Sequence, residues 1–251
     1  MYNISVVTIC FNNLEELKLT INSVDKQSLT PFEHIIVNGS TNNEIQDYLS
    51  NIHQPDYRVI INEIDSGISD AFNKGIRKST GQIVNLLNSG DEYFDGTIIE
   101  YISKVFDEFP NLMWIHGKYQ QEISGKWITL GKPFNPAQLY KGMSQVGHPT
   151  MFVKKELYER YGYFDLNKKI AMDYDFLVRI KDEPFKHLNK VFVRFKDGGA
   201  SNIHFNKGLS EVKDSYQKYI GSVLTMRLWQ IRIKMINKIV KSKLGKTLLS
   251  D

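Results

Sequence analysis

The chain has 251 residues, 41% hydrophobic and 24% charged, a size and balance that suit a soluble domain with a large core and exclude disordered or fibrous classes. Its formal charge of +4 is uneven: from Thr225 onward seven Lys and Arg face one acid, Asp251, while the first 224 residues carry 25 basic and 27 acidic side chains. A nucleic-acid binder would spread basic surface over its body, so that partner is excluded. The single cysteine, Cys10, permits no internal disulfide and points to a reducing compartment. The start, "MYNISVVTICFNN", shows neither a basic leader nor a cleavage site, and no apolar run approaches the roughly 20 residues of a spanning helix. The expected location is cytoplasmic, or peripheral at the inner face of the cell membrane.

In chain order the first half alternates strand and helix. "ISVVTIC" (residues 4–10) is a near-continuous β-rich run, as a strand covered on both faces should be. A helix follows over 14–25, with Leu14, Leu17, Ile21 and Val24 three and four apart. Then come strand "HIIVN", a helix over 44–49, strand "YRVII", a helix over 69–78 and strand "QIVNLL". This pattern predicts an α/β, Rossmann-like fold: a mostly parallel sheet with helices on both faces. Ligands in such sheets bind at the loops beyond the strands' carboxyl ends. Those loops are "CFNN", "VNGSTNNE", "EIDSGISDAFNKG" and "LLNSGDEY", all rich in tightly turning polar residues and expected to share one site. After a helix over 98–109 the chain mixes short pieces: strands "MWIHG" and "KWITLG", a strand and helix in "GHPTMFVKKELYERYGYFD", a helix in "MDYDFLVRI" and a strand in "HLNKVFVRF".

Common ligand motifs are missing. No G-x-G-x-x-G follows the first strand, and neither H-E-x-x-H nor G-x-S-x-G occurs. "GKWITLGKP" has the wrong spacing for a phosphate loop and carries Pro133 where a Ser or Thr is needed, and one cysteine leaves no set for structural zinc. What remains is carboxylate, amide and glycine on the rim. Asp91 follows a buried strand where Gly90 lets backbone approach a ligand closely; it suits a hard cation bridging phosphates, or a turn cap. Asp173 and Asp175 sit two apart on a helix, so at about 100° per residue they point to different faces. One can face a cleft while Asp175 pairs with Arg179 one turn on.

Taken in order, "SVVTICFNN", "IIVNGSTNNE", "DSGISDAFNKG", "LLNSGDEY", "GHPTMF" and "AMDYDFLVR" resemble the family 2 glycosyltransferases, inverting enzymes of the GT-A fold that use nucleotide-diphosphate sugars. The likeness spans roughly residues 4–205 and is nearest to bacterial enzymes that build capsule, O-antigen (lipopolysaccharide) and colanic-acid-type polysaccharides. By that resemblance Thr8 and Phe11 would line the nucleotide pocket, Asn38 stands where an Asp usually contacts uracil, and Asp65 lies near the nucleoside. Asn88, Ser89 and Gly90 would border the nucleotide. Asp70, Asn73 and Lys74 would face the nucleotide sugar, and His148 would lie near acceptor and sugar. Asp91 matches the last Asp of the D-x-D motif that holds Mn2+ or Mg2+, reduced here to Ser89-Gly90-Asp91. His204, after "KDGGASN", matches a late histidine that some relatives use as a metal ligand. Asp173 matches the catalytic base. The implied reaction moves a sugar, from a UDP-linked donor first of all, to a glycan or lipid-linked acceptor. His34, His53, His116 and His187 read as surface or core residues.

The domain expectation is a glycosyltransferase domain over 1–224, its nucleotide-binding half 1–110 and its acceptor half 111–224, followed by a basic amphipathic helix over 225–251. In that tail Trp229, Ile233, Ile236 and Val240 fall on one side and Arg227, Lys234, Lys238 and Lys241 opposite. Such a helix suits an anionic membrane surface, or packs on the protein's own core or a homodimer partner. Two rivals remain: a non-catalytic nucleotide-sugar-binding or assembly subunit, favoured by the reduced metal motif, and a sugar nucleotidyltransferase. The latter needs a Gly-rich basic loop after the first strand, which "CFNNLEE" does not supply.

Overall fold

The computed structural model describes residues 1–123, 125–196 and 203–241. Strand β1 (Ile4–Cys10) is β-branched along most of its length, and only Ile9 escapes full burial. It pairs in parallel with β2 (Glu33–Asn38) on one side and β4 (Ile83–Leu86) on the other, and β2 pairs in parallel with β3 (Arg58–Asn62). Helices α1 (Leu14–Asp25), α2 (Glu44–Asn51) and α3 (Ile68–Lys78) make the crossovers. Because all four strands run one way, the four loops that leave their carboxyl ends share a single edge.

Successive side chains of a strand face opposite ways, and the packing follows that period. Val7, Ile35 and Val37 enter one core with Phe72, Trp114 and Phe176, whereas Ile4 and Val6 enter another with Ile102, Phe106 and Phe192. A third cluster joins Leu17 and Ile21 of α1 to Ile36 and Ile45.

Beyond β4 the sheet becomes mixed. β8 (Phe152–Lys154) is antiparallel to β4 and to β6 (Trp114–Ile123), and β9 (Phe185–Phe195) runs parallel to β6. β5 (Glu92–Tyr93) closes the order 3-2-1-4-8-6-9-5, and β7 (Lys126–Leu130) forms a hairpin with β6. The remaining helices are α4 (Ile98–Glu108), α5 (Lys155–Tyr161), α6 (Met172–Arg179), α7 (Phe205–Tyr219) and α8 (Leu224–Lys241). Short 3-10 helices cover Pro136–Lys141 and His148–Thr150.

The alternating half matches the sequence pattern, and three features depart from it. The "MWIHG" strand extends to ten residues because β9 and β7 flank it. Glu92 and Tyr93, read as loop, pair with Arg194 and Val193 about a hundred positions away. Helix α7 went unpredicted; its sequence is polar, and only Glu211 and Ser215 along it are buried.

Helix α3 lies close to the sheet because Gly75 faces it: an added Cβ would stand 2.2 Å from Val7 Cγ1 and 3.2 Å from Val37 Cγ2. Gly75→Ala is expected to lower stability in urea denaturation by about 1–3 kcal/mol through overpacking, despite alanine's better helix propensity. A variant as stable as the parent would contradict that close approach.

Candidate active site

The rim loops are stitched to one another by their own polar side chains. After β1, Asn12 takes a left-handed φ of 52°, donates its backbone N–H to Ser40 Oγ at 2.9 Å and accepts from the Thr41 N–H at 3.2 Å. Asn38, buried at the end of β2, donates from Nδ2 to Asn62 Oδ1 at 2.9 Å and accepts from the Ser40 N–H at 3.1 Å. Asp65 reaches back over the second loop, where a Cβ on Gly39 would stand 1.8 Å from its Oδ2, and it accepts from the Gly67 N–H at 2.8 Å. Phe11 stands on this rim with 58% of its surface exposed, an open apolar ring amid amides.

Two residues expected at the ligand face inward instead. Thr8 is fully buried, its Oγ1 2.9 Å from His34 Nε2. Asn73 is buried too, exchanging two 2.9 Å hydrogen bonds with the backbone of Phe164 and so clamping α3 to the segment that leads into α6. Lys74 donates to the Ile64 carbonyl at 2.7 Å and pairs with Glu63 at 2.9 Å, while Asp70 accepts from the Ser66 N–H at 2.9 Å. That backbone bond holds the Asp70 carboxyl below the usual range. Ser69 donates to the Lys168 carbonyl and Lys169 Nζ to the Ser66 carbonyl, so the third loop and the approach to α6 hold each other.

The fourth loop carries Asp91. Ser89 donates its N–H to the Ile9 carbonyl, and Gly90, at φ 97°, donates its N–H to Thr20 Oγ1; these bonds fix the turn against β1 and α1. Asp91 is buried, and its Oδ2 accepts from both the backbone N–H and the Nδ2 of Asn88 at 2.9 Å. Burial pushes its carboxyl up to about 7, outweighing the Asn88 bonds that favour the charged form. Asp91 Oδ1 accepts no bond among the described residues, and the nearby Ser89 Oγ is buried without a partner. Two such oxygens on one turn fit a hard cation that completes its shell with phosphate and water. No cluster of three or more His, Cys, Asp or Glu occurs among the described residues. His204 is exposed just before α7, and no described contact joins it to Asp91. The "KDGGASN" loop before it lies outside the described residues from position 197 to 202.

Asp173 opens α6 and accepts from the Tyr174 N–H at 2.7 Å. Burial raises its carboxyl, and neighbouring His148 works the other way. His148, its ring edge-on to Phe72 at 5.4 Å, has its pKa lowered by burial against the pull of Asp173, and its Nε2 has no partner among the described residues. Both side chains line a small internal space with Leu86, the last residue of β4. The Asp91 turn follows that strand end. Asp175 turns away, paired with Arg179 at 3.1 Å as its spacing predicts.

Sequence reading missed what orients α6. Glu211 of α7 accepts from the N–H groups of Lys169, Ile170 and Ala171 at 2.9–3.1 Å, a carboxylate set at the start of α6 where the helix dipole favours it. Ser215, one turn on, donates to Asp175 at 2.7 Å. No local motif could reveal a partner so far along the chain; the one signal is Glu211 and Ser215 at helical spacing. On the other side of Asp173 opens a cavity of about 260 Å³, walled by Tyr140, Ile170, Phe205, Leu209, Val212 and Trp229.

The profile of glycosyl transferase family 2 matches residues 5–176. The chain belongs to that family. An uncharacterized glycosyltransferase of Mycobacterium tuberculosis is 28% identical over 178 residues, covering 70% of this chain and 68% of the relative. A PGL/p-HBAD biosynthesis glycosyltransferase of Mycobacterium bovis is 24% identical over 215 residues, covering 82% of this chain and 81% of the relative. Among solved structures, S. aureus TarS residues 1–349 in complex with UDP superposes with a TM-score of 0.65 at 15% identity, over 96% of this chain and 72% of that one. The chain spans 44% of the longer TarS structure. Mannosyltransferase PcManGT from Pyrobaculum calidifontis, in complex with GDP-Man and Mn2+, gives 0.65 at 14% identity, over 99% and 79%. These likenesses establish a GT-A fold; the family establishes a glycosyltransferase.

The burial of Asp91 has a direct consequence. A carboxyl whose folded pKa is raised costs stability as pH climbs from the ordinary carboxylate range to about 7. Asp91→Asn, whose amide oxygen can still accept from Asn88, should therefore gain stability relative to the parent across that interval and hold the gain above it. Adding Mn2+ with UDP at pH 8 should raise the Tm of the parent and not of the variant. An equal Tm rise in both would remove Asp91 from the metal site.

Proposed function

We propose that this glycosyltransferase is inverting and moves a sugar from a nucleotide-diphosphate donor, UDP-linked first of all, to a hydroxyl of a glycan or lipid-linked acceptor in bacterial surface-polysaccharide synthesis. The observation that carries this reading is Asp173, a carboxylate of raised pKa between the β4 edge and the open cavity. In the reaction the acceptor oxygen forms a bond to the anomeric carbon from the face opposite the diphosphate. The acceptor's proton passes to the Asp173 carboxylate, and the bond between anomeric carbon and phosphate oxygen breaks. A general base so placed contributes roughly 10²–10⁴-fold in rate, and one such carboxylate suffices, unlike the pair that a retaining glycosidase needs.

Burial tunes this base. It places Asp173 nearer the working pH than a solvated carboxyl, and the burial that lowers His148 disfavours the positive charge that would oppose this shift. Asp91 and Ser89 would hold Mn2+ or Mg2+, which when bound supplies charge to stabilise the departing diphosphate. Phe11, Asn38 and Asp65 take the nucleoside in this reading, with Asn88 and Gly90 beside its phosphates. Asp70 and Lys74 border the donor sugar, and Thr8 and Asn73 act through the loops they brace. The amide of Asn38 both donates and accepts, so the base specificity need not be strictly uracil.

In this reading residues 1–110 are the nucleotide-binding half and 111–224 the acceptor half. By the same reading the protein is cytoplasmic, or peripheral at the inner face of the cell membrane. The role of a relative in PGL/p-HBAD biosynthesis supports a surface-glycoconjugate acceptor, and the TarS complex with UDP and the PcManGT complex with GDP-Man and Mn2+ support the donor and the cation.

Asp173→Asn should lower the transfer rate by about 10²–10⁴-fold and leave UDP-sugar affinity near that of the parent. In the parent, transfer should rise with pH through an apparent pKa above the ordinary carboxylate range. A variant that transfers as fast as the parent would refute the base. Absence of any nucleotide-sugar binding would favour a non-catalytic assembly subunit with a degenerate metal turn.

A further inference from the structure

Helix α8 has two apolar faces, and the structure separates them. The stripe that periodicity singles out begins on the inside. Trp229 stands edge-on to Tyr140 at 6.2 Å, and Ile233 is half-buried on the same side. Beside them Met226 is wholly buried, and Gln230 donates to the Leu209 carbonyl at 2.7 Å. Of the residues expected on that stripe, only Ile236 is exposed on the described surface.

On the opposite side lie Leu224, Leu228, Ile231 and Met235, spaced four, three and four, so that at about 100° per residue they form one narrow row. Each is more than half exposed, from 56% to 68%. Arg227, Lys234 and Lys238 border this row on one flank and Arg232 on the other, and all four are exposed. Arg227, Lys234 and Lys238 have no acidic partner among the described residues, and the helix from Leu224 to Lys241 contains no acid. No helix of the described residues is long and apolar enough to cross a membrane. A row of large apolar side chains between basic flanks is suited to lying in an anionic lipid interface. Two copies apposed through this face would bring like charges together with no acid on the helix to offset them.

The inner face of the same helix reaches the site. Trp229 and Gln230 wall the 260 Å³ cavity that ends at Asp173, alongside Tyr140, Met143 and Leu209. We propose that α8 docks the enzyme on an anionic bilayer through Leu224, Leu228, Ile231 and Met235. The cavity it walls then takes an amphiphile resident in that bilayer, its hydroxyl presented to Asp173. The apolar lining suits an acceptor with an apolar or aromatic body next to the reacting hydroxyl, in place of a free, fully hydrated sugar. This rests on the reading of Asp173 as the base that faces the acceptor.

The test uses the full chain with phosphatidylcholine vesicles, either neutral or containing phosphatidylglycerol. Two variants accompany the parent: Leu228→Ser with Ile231→Ser, and Arg227→Gln with Lys234→Gln and Lys238→Gln. Circular dichroism and Tm confirm that both fold. The parent should co-sediment with anionic vesicles and release in high salt, and each variant should bind them roughly tenfold more weakly or worse. UDP-sugar binding in solution, measured by calorimetry, should be the same in all three proteins. Transfer to acceptors extracted in those vesicles should fall in the variants in step with docking. A parent that ignores anionic vesicles, or binds neutral ones equally well, overturns the proposal. So does a concentration-dependent dimer abolished by the serine variant, which would make a second copy the occupant. Vesicle binding without any UDP-sugar binding would leave the docking intact and sink the glycosyl-transfer reading instead.

Discussion

The shared direction of β1 to β4 is the constraint on which the rest depends. Parallel pairing requires each strand to return through a helix, and every return leaves a loop at the same carboxyl edge. Four loops thrown together in this way would be costly if their polar groups went unpaired. They are bonded to one another instead, Asn12 to the Ser40–Thr41 turn and Asn38 to Asn62. The rim is therefore a stiff frame, and the groups left over on it are the ones available to a ligand.

The same physical cause acts on the two central carboxyls. Burial raises both Asp91 and Asp173, yet their surroundings suit different work. Asp91 is held by two hydrogen bonds to one oxygen and leaves the other free, which suits a counter-charge brought by a cation. Asp173 is flanked by the buried imidazole of His148 and opens toward a cavity, which suits a proton acceptor. Glu211 braces the second arrangement from outside. By gathering three N–H groups at the head of α6, it fixes the direction in which Asp173 leaves the helix. Helix α7 and the inner face of α8 thus border Asp173 and the head of α6.

Much of this was legible in the sequence, for identifiable reasons. β-branched apolar runs such as "ISVVTIC" fit a doubly covered strand, and the residue types of the loops marked the edge at which the four parallel strands end. The pairing of Asp175 with Arg179 followed from helical spacing alone. What stayed hidden depended on distant partners. β5 exists because β9 runs past it, and Glu211 matters because α6 begins where it points. Thr8 and Asn73 look like rim residues by position, but their side chains close on His34 and Phe164. The tail was legible only in part. Periodicity identifies an apolar side without saying which side the body covers, and α8 has two.

The central claim is that one nucleotide-sugar site joins the turn of Asp91 to the head of α6. A crystal structure of the protein with UDP and Mn2+, using the anomalous signal of manganese, tests it most directly. The account predicts a metal peak within coordination distance of the Asp91 carboxylate and of the diphosphate, with Asp173 facing the space beyond the terminal phosphate. Nucleotide bound away from the carboxyl edge of β1 to β4, or a metal peak that does not touch Asp91, would contradict it.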